Sequence, residues 1–229
     1  YQIYGRAKGY PELFYCEGST ISLKGSTTRK IAFERTSKQH VRISQNTVKD
    51  SVLVEKMLMN KQNFKSAKDV DGFVPQASGL YCIRIKNVHL LPEPFGTILL
   101  ERVHDILYIG IASENLYNRF LNQELRAKGH GTFFRSMGAV LGYKPPKGSL
   151  IEKRNKKNYK FSKTDELKII GWINENLMVN WVESAGDLDS LETSLIVKYL
   201  PLLNLSKNPA ALQILSYLRK ECVEIANRN

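Results

Sequence analysis

"DILYIGIASENLYNRF", residues 105–120, holds an apolar run, a short break and the opening of what reads as a helix. The run "ILYIGIA" is rich in Ile and Tyr and is interrupted only by Gly110, which predicts a strand. Ser113 is the expected N-cap of the following helix, with Glu114 in its first turn against the helix dipole. Leu116, Phe120 and Leu121 fall on one stripe, so that helix is expected to run to about Ala127. A strand thus delivers Tyr108 to its end where a helix brings up Arg119.

Working outward, "GLYCIRI" (79–85) predicts a second strand, and Pro92 and Pro94 make residues 87–104 an excursion between the two. "GHGTFFRSMGAVLGY" predicts a short helix bounded by Gly131 and Gly142. "NLMVNWVES" reads as a strand, with Met178 alternating with Asn180 and Val179 with Trp181. "GDLDSLETSLIVKYL" reads as a helix ended by Pro201, in which Asp189-Ser190-Leu191-Glu192 fits a capping box. The last helix, "NPAALQILSYLRKECVEIAN", takes Asn208 as cap and Pro209 as its first residue. This order predicts an α/β (α+β) fold with a small antiparallel or mixed central sheet flanked by helices. Residues 1–77 are expected to form a small N-terminal α+β module. Short strands would run through Ile31, Phe33, Val41 and Ile43, followed by a helix carrying Val52, Leu53, Met57 and Leu58. "KDVDGFVPQAS", with Gly72 and Pro75, is the expected linker to a unit at 78–229.

Composition is that of a folded chain, 42% hydrophobic and 24% charged, and the net charge is +12. Residues 144–168 hold nine Lys/Arg against three Asp/Glu, and residues 1–77 hold 13 against seven. Two basic regions flanking neutral ones fit a polyanionic partner. No apolar run approaches the roughly 20 residues that span a bilayer. Cys16, Cys82 and Cys222 lack CxxC spacing and read as buried thiols of a reducing, cytoplasmic compartment. The four histidines are scattered, which argues against a histidine metal site.

Gly79-Leu80-Tyr81, Tyr108-Ile109-Gly110, Arg119, Glu192 and Asn204, in that order, resemble the GIY-YIG nuclease family over about residues 78–208. "LPLLNLSKNP" is similar to its closing motif. The resemblance implies that Tyr81 takes the proton of an attacking water and that Tyr108 orients the water or the phosphate. A phenol ordinarily titrates near pH 10, so Tyr81 as base requires neighbouring cations to depress it. Arg119 would supply one such cation and a fork for phosphate oxygens. Glu192 would be the one protein ligand of a hydrated Mg²⁺, with Mn²⁺ as the alternative ion. Asn204 would hold the arrangement by side-chain hydrogen bonds. Gln123 stands where the family usually has His or Tyr, and glutamine cannot act as a base. That shifts proton transfer to Tyr81, or to His130 or Lys86.

The excursion at 87–104 is similar to insertions of the family's restriction endonucleases and is expected to grip or read DNA. Lys86, Arg135, Lys144, Lys147, Lys153, Arg154, Lys156 and Lys157 are the expected DNA contacts, with Phe133 and Phe134 in the core. The resemblance therefore implies a Mg²⁺-dependent endonuclease acting on double-stranded DNA, most like a restriction enzyme, with no membrane association. A palindromic target would call for a homodimer. The alternatives are a repair or mobile-element nuclease directed by DNA structure, and a catalytically silent DNA-binding protein of the same fold.

Overall fold

A computed structural model describes residues 50–229. The strands expected around Ile31, Phe33, Val41 and Ile43, and Cys16, lie outside the described residues. Four strands form one antiparallel sheet: β1 (Lys65–Ser66), β2 (Gly79–Ile85), β3 (Ile106–Ala112) and β4 (Leu177–Glu183), in the order β1-β4-β2-β3. Around it lie α1 (described over 50–59), α2 (Phe95–Glu101), α3 (Thr132–Val140), α4 (Lys163–Asn176), α5 (Leu188–Tyr199) and α6 (Gln213–Asn227). A nine-residue π-helix, Tyr117–Leu125, follows β3. The α+β fold with an antiparallel sheet is the one expected, and β2 and β3 coincide with "GLYCIRI" and "ILYIGIA".

Both faces of the sheet are covered, which is why every residue of β2 is buried. Tyr81, Ile83 and Ile85 enter the larger core with Phe120, Phe133 and Phe134, while Leu80 and Cys82 pack on the other face with Ile109, Leu195 and Ile196. Strand alternation breaks in β3. The β2–β3 register shifts between Ile83 and Arg84, which pair with Tyr108 and Ile106, so Leu107 is an extra residue in a bulge. Leu107 and Tyr108 consequently both join the larger core. The ladder from Tyr81–Gly110 to Ile83–Tyr108 is regular, so Tyr108 lies on the same face as Tyr81, and the bulge beyond it brings Leu107 to that face too.

The glycines of the two strand triplets are required by close approach. A Cβ on Gly79 would stand 2.2 Å from the Val182 carbonyl oxygen of β4, and one on Gly110 would stand 2.5 Å from the Tyr81 hydroxyl. Gly110 pairs directly with Tyr81 across the strands, so the phenol ring lies over the space where a side chain would be.

β3 is an edge strand, and the loop after α5 covers it. Leu202 and Leu203 donate backbone hydrogen bonds to the Ile106 and Leu107 carbonyls at 3.2 and 2.8 Å. Asn204 completes the cover: its Oδ1 accepts from Ile109 N at 3.0 Å and its Nδ2 donates to Ile109 O at 2.8 Å. Ladder groups that would otherwise be unpaired are satisfied in this way.

Residues 87–104, expected to grip DNA, are built into this same support. Phe95 and Leu99 of α2 enter the core. Arg102 donates to the carbonyls of Leu200, Pro201 and Ala210 at 2.6, 3.2 and 2.6 Å. Arg102→Ala removes a charged donor from three carbonyls at once. It should cost about 2–3 kcal/mol of stability, read as a lower urea midpoint at an unchanged slope.

Several expectations are corrected. The unit extends upstream of residue 78: β1 pairs with β4, Leu58 and Phe64 pack with Leu80, and the chain divides between Ser44 and Gln45. The expected linker contributes Val70 and Val74 to the core. Asn115, not Ser113, caps the helix after β3, accepting from Asn118 N at 3.0 Å. That helix ends at Leu125, with Ala127 already at φ 57°. α5 is capped by Asp187, which accepts from Ser190 N at 3.1 Å, so the capping box at 189–192 is not formed. α6 begins at Gln213, and Asn208 instead ties the preceding loop by donating to the Pro201 and Asn204 carbonyls. Part of the basic run is α4, capped by Ser162.

Candidate active site

A cleft of about 520 Å³ opens where β2, β3 and the π-helix meet, and Tyr81, Tyr108, Arg119, Gln123 and Glu192 all line it. The tyrosines come from neighbouring strands on one face, with ring centroids 6.2 Å apart and planes at 23°. Phe120 stacks on Tyr81 from the π-helix at 4.7 Å. Glu192 arrives from the other side of the sheet: α5 packs Leu195 and Ile196 into the smaller core and reaches the cleft beside Ile111. Asn204 is set apart from the cleft lining, clamped to the β3 backbone behind Tyr108.

The π-helix brings in a residue that sequence spacing did not suggest. In such a helix turns close from i to i+5 rather than i to i+4. Arg119 therefore meets Glu124, at 2.5 Å, and also donates to Gln123 Oε1 at 3.3 Å. Glu124 is 0% exposed. Its Oε1 accepts a hydrogen bond from the Tyr81 hydroxyl at 3.4 Å, and its Oε2 accepts from Phe134 N at 3.2 Å, at the start of α3. A carboxylate there satisfies helix-terminal N–H groups, and α3 has no side-chain cap of its own. A Cβ on Gly131 would fall 1.9 Å from Glu124 Oε2, so glycine keeps the carboxylate's seat clear.

The electrostatics reverse one expectation. Tyr81 is 0% exposed at the floor of the cleft. Burial, then the Glu124 carboxylate and the Tyr108 phenol, raise it well above a phenol's ordinary range, outweighing Arg119. It is a neutral donor here, not a phenolate. Tyr108 is raised too, chiefly by burial and Glu124. Burial also raises Glu124 above the usual carboxylate range, in spite of Arg119 and the α3 amides.

Two expected proton acceptors lie elsewhere. His130 is buried against Phe134 and Phe161, with Nε2 accepting from Phe161 N at 3.2 Å, and burial lowers it to about 4. Lys86, exposed at the end of β2, donates to the Glu175 carbonyl at 2.5 Å and to Ser66 Oγ at 3.1 Å. Arg135 is buried and donates to the His130 carbonyl at 2.6 Å. Lys144 pairs with Glu221 at 2.5 Å. Lys156 is exposed but donates to the Leu150 and Ile151 carbonyls. Lys147, Lys153, Arg154 and Lys157 stand exposed on a segment pinned by buried Leu150, Tyr159 and Phe161.

A family model for the GIY-YIG catalytic domain matches residues 79–221. The chain belongs to the GIY-YIG family. No curated protein and no solved structure matches it. The match runs from the first residue of β2 into α6, so it takes in the cleft and the covered edge of β3. A GIY-YIG catalytic domain is a nuclease domain, and DNA is the substrate it implies.

Two carboxylates, Glu114 and Glu192, line this GIY-YIG cleft, and Glu192 is the one that the family pattern matches as a metal ligand. Among the described residues no group of three or more His, Cys, Asp or Glu is placed to bind an ion. One carboxylate suits a cation that keeps most of its water, as Mg²⁺ does, and not a dehydrated, fully caged ion. Glu192 Oε2 is held by Lys207 at 2.8 Å, which also contacts Asp189 at 2.6 Å. Lys207 was absent from the sequence-derived site.

Proposed function

We propose that this protein is a Mg²⁺-dependent endonuclease that hydrolyses phosphodiesters of double-stranded DNA, and that it acts as a sequence-specific, restriction-type enzyme. The observation that carries the reading is the convergence of Tyr81, Tyr108, Arg119 and Glu192, from four separate elements, on one open cleft. In that cleft Arg119 presents a guanidinium that is 31% exposed and shaped for phosphate oxygens. Mg²⁺ held by Glu192 would stabilise charge on the phosphate and acidify a water. The exposed cations of the 147–157 segment supply phosphate contacts away from the cleft, independent of base sequence. Residues 87–104 are poorly placed to read a target, since Arg102 and the core residues there are turned inward.

Supercoiled plasmid incubated with Mg²⁺ tests the proposal. Discrete linear fragments are expected, and their ends give the target. Nicking or smearing would instead indicate a nuclease guided by DNA structure, and intact plasmid with a gel shift would indicate a silent binder.

A further inference from the structure

We propose that Glu124 is the proton acceptor behind Tyr81: the phenol takes a proton from the attacking water as it passes its own to Glu124. This inference rests on the nuclease reading above and assigns a role to a residue outside the family's strand triplets.

Three observations converge on it. The Tyr81 hydroxyl is buried, its bond to Glu124 Oε1 is the contact that its oxygen makes across the core, and it has no depressing environment of its own. A neutral phenol flanked by a carboxylate can transmit a proton without ever becoming a phenolate. Second, a cap for α3 would not need a charge. A fully buried carboxylate is costly, and an uncharged acceptor of the same shape would serve the Phe134 amide. Third, the π-winding places Glu124 against both Arg119 and Tyr81, whereas Gln123 reaches Arg119 alone. Gln123 lines the cleft but has no site for a transferred proton.

The same oxygen of Glu124 is shared by Arg119 and Tyr81, and this makes the acceptor responsive to substrate. In the free protein the guanidinium at 2.5 Å occupies Oε1 and suppresses its basicity. A DNA phosphate entering the cleft offers the partly exposed Arg119 a second anion. As Arg119 turns to it, Oε1 becomes both more basic and more available to the Tyr81 hydroxyl at 3.4 Å.

In the reacting step a water O–H bond breaks as the water oxygen bonds to phosphorus. Its proton goes to the Tyr81 oxygen, and the Tyr81 proton goes to Glu124 Oε1. The phosphorus–oxygen bond to the leaving sugar opens with its electron pair, and that oxygen takes a proton from solvent. The resulting hydroxide recovers the Glu124 proton through Tyr81. Glu124 touches neither water nor phosphate and is a positioning residue in that sense.

Cleavage rates at saturating DNA, from mildly acidic to alkaline pH, for the full chain and for Glu124→Gln, Tyr81→Phe and the double variant test this. Wild type should show an acid limb, its rate rising with pH as Glu124 loses its proton. Glu124→Gln should keep DNA binding within severalfold, lose about 10²–10⁴-fold in kcat and lose the acid limb. Tyr81→Phe should also lose that limb, and the double variant should be no slower than the slower single, because the pair acts as a unit. Cutting by Glu124→Gln within severalfold of wild type, or losses that multiply in the double variant, would overturn the proposal. Should Glu124→Gln fail to fold, Tyr81→Phe alone decides, since it removes one oxygen: a retained acid limb overturns the relay. A wild type that binds DNA but never cuts overturns the nuclease reading and this inference together.

Discussion

Glu192→Ala should reduce Mg²⁺-dependent plasmid cleavage by about 10³-fold or more while duplex binding stays intact. Glu192 is partly buried on α5, with its side chain 13% exposed, and its removal leaves Lys207 still paired with Asp189. The helix is held by Leu188, Leu195 and Ile196 in the smaller core and by Asp187 at its cap, none of which the substitution touches. The fold should therefore persist, and the loss should fall on kcat. The cleft would also lose a negative charge, so binding measured by gel shift should be equal or slightly tighter. Retained cutting would remove Glu192 from the metal site, and lost binding would show that it serves the architecture instead.

Arg119→Ala should do two kinds of damage, and pH separates them. Catalytically it deletes the guanidinium offered to the phosphate, which should cost about 10²–10³-fold in rate. Structurally it leaves Glu124 as a buried carboxylate without its cation, a loss of about 3–5 kcal/mol for a broken buried pair. Glu124 already titrates above the usual carboxylate range in the folded protein, and losing Arg119 raises it further. A carboxyl group raised on folding binds more protons folded than unfolded, so its unfavourable contribution grows as pH rises through that window and disappears below it. The melting temperature gap between Arg119→Ala and wild type should thus be widest at neutral pH and narrow on acidification. A gap independent of pH would mean that Glu124 is not the group left unpaired. Arg119→Lys keeps a charge without the fork and should restore stability more than rate.

Much of this arrangement was legible in the chain. The runs at 79–85 and 106–112 are apolar, bounded and rich in Ile and Tyr, and both are strands buried on two faces. Phe133 and Phe134 read as core and are core. Tyr81, Tyr108, Arg119 and Glu192 stand in the chain in the order of the family pattern, and the fold brings them to one cleft. The sequence carries a signal for α4: Ser162 and Asp165 sit three apart at its start, and Ser162 accepts from Asp165 N at 3.2 Å. The lysine surplus around it masked the cap. Elsewhere the caps lie two or more residues from the expected ones, because Asp, Asn and Ser are plentiful near each helix start and which of them bonds depends on the path of the entering chain.

What the sequence alone determined is therefore the identity of the strands, the residues on each core face and the order of the polar groups, since these follow from local apolar patterning. Only the tertiary structure decided the partners. The β2–β3 register sets Tyr108 on the face of Tyr81, and π-winding brings Glu124 against both Arg119 and the Tyr81 hydroxyl. The loop at 200–208 closes over β3, so Asn204 serves the backbone. Patterning records which side chains leave water, but a hydrogen bond between buried polar groups depends on distances of a few tenths of an ångström. Those are set only when distant segments pack.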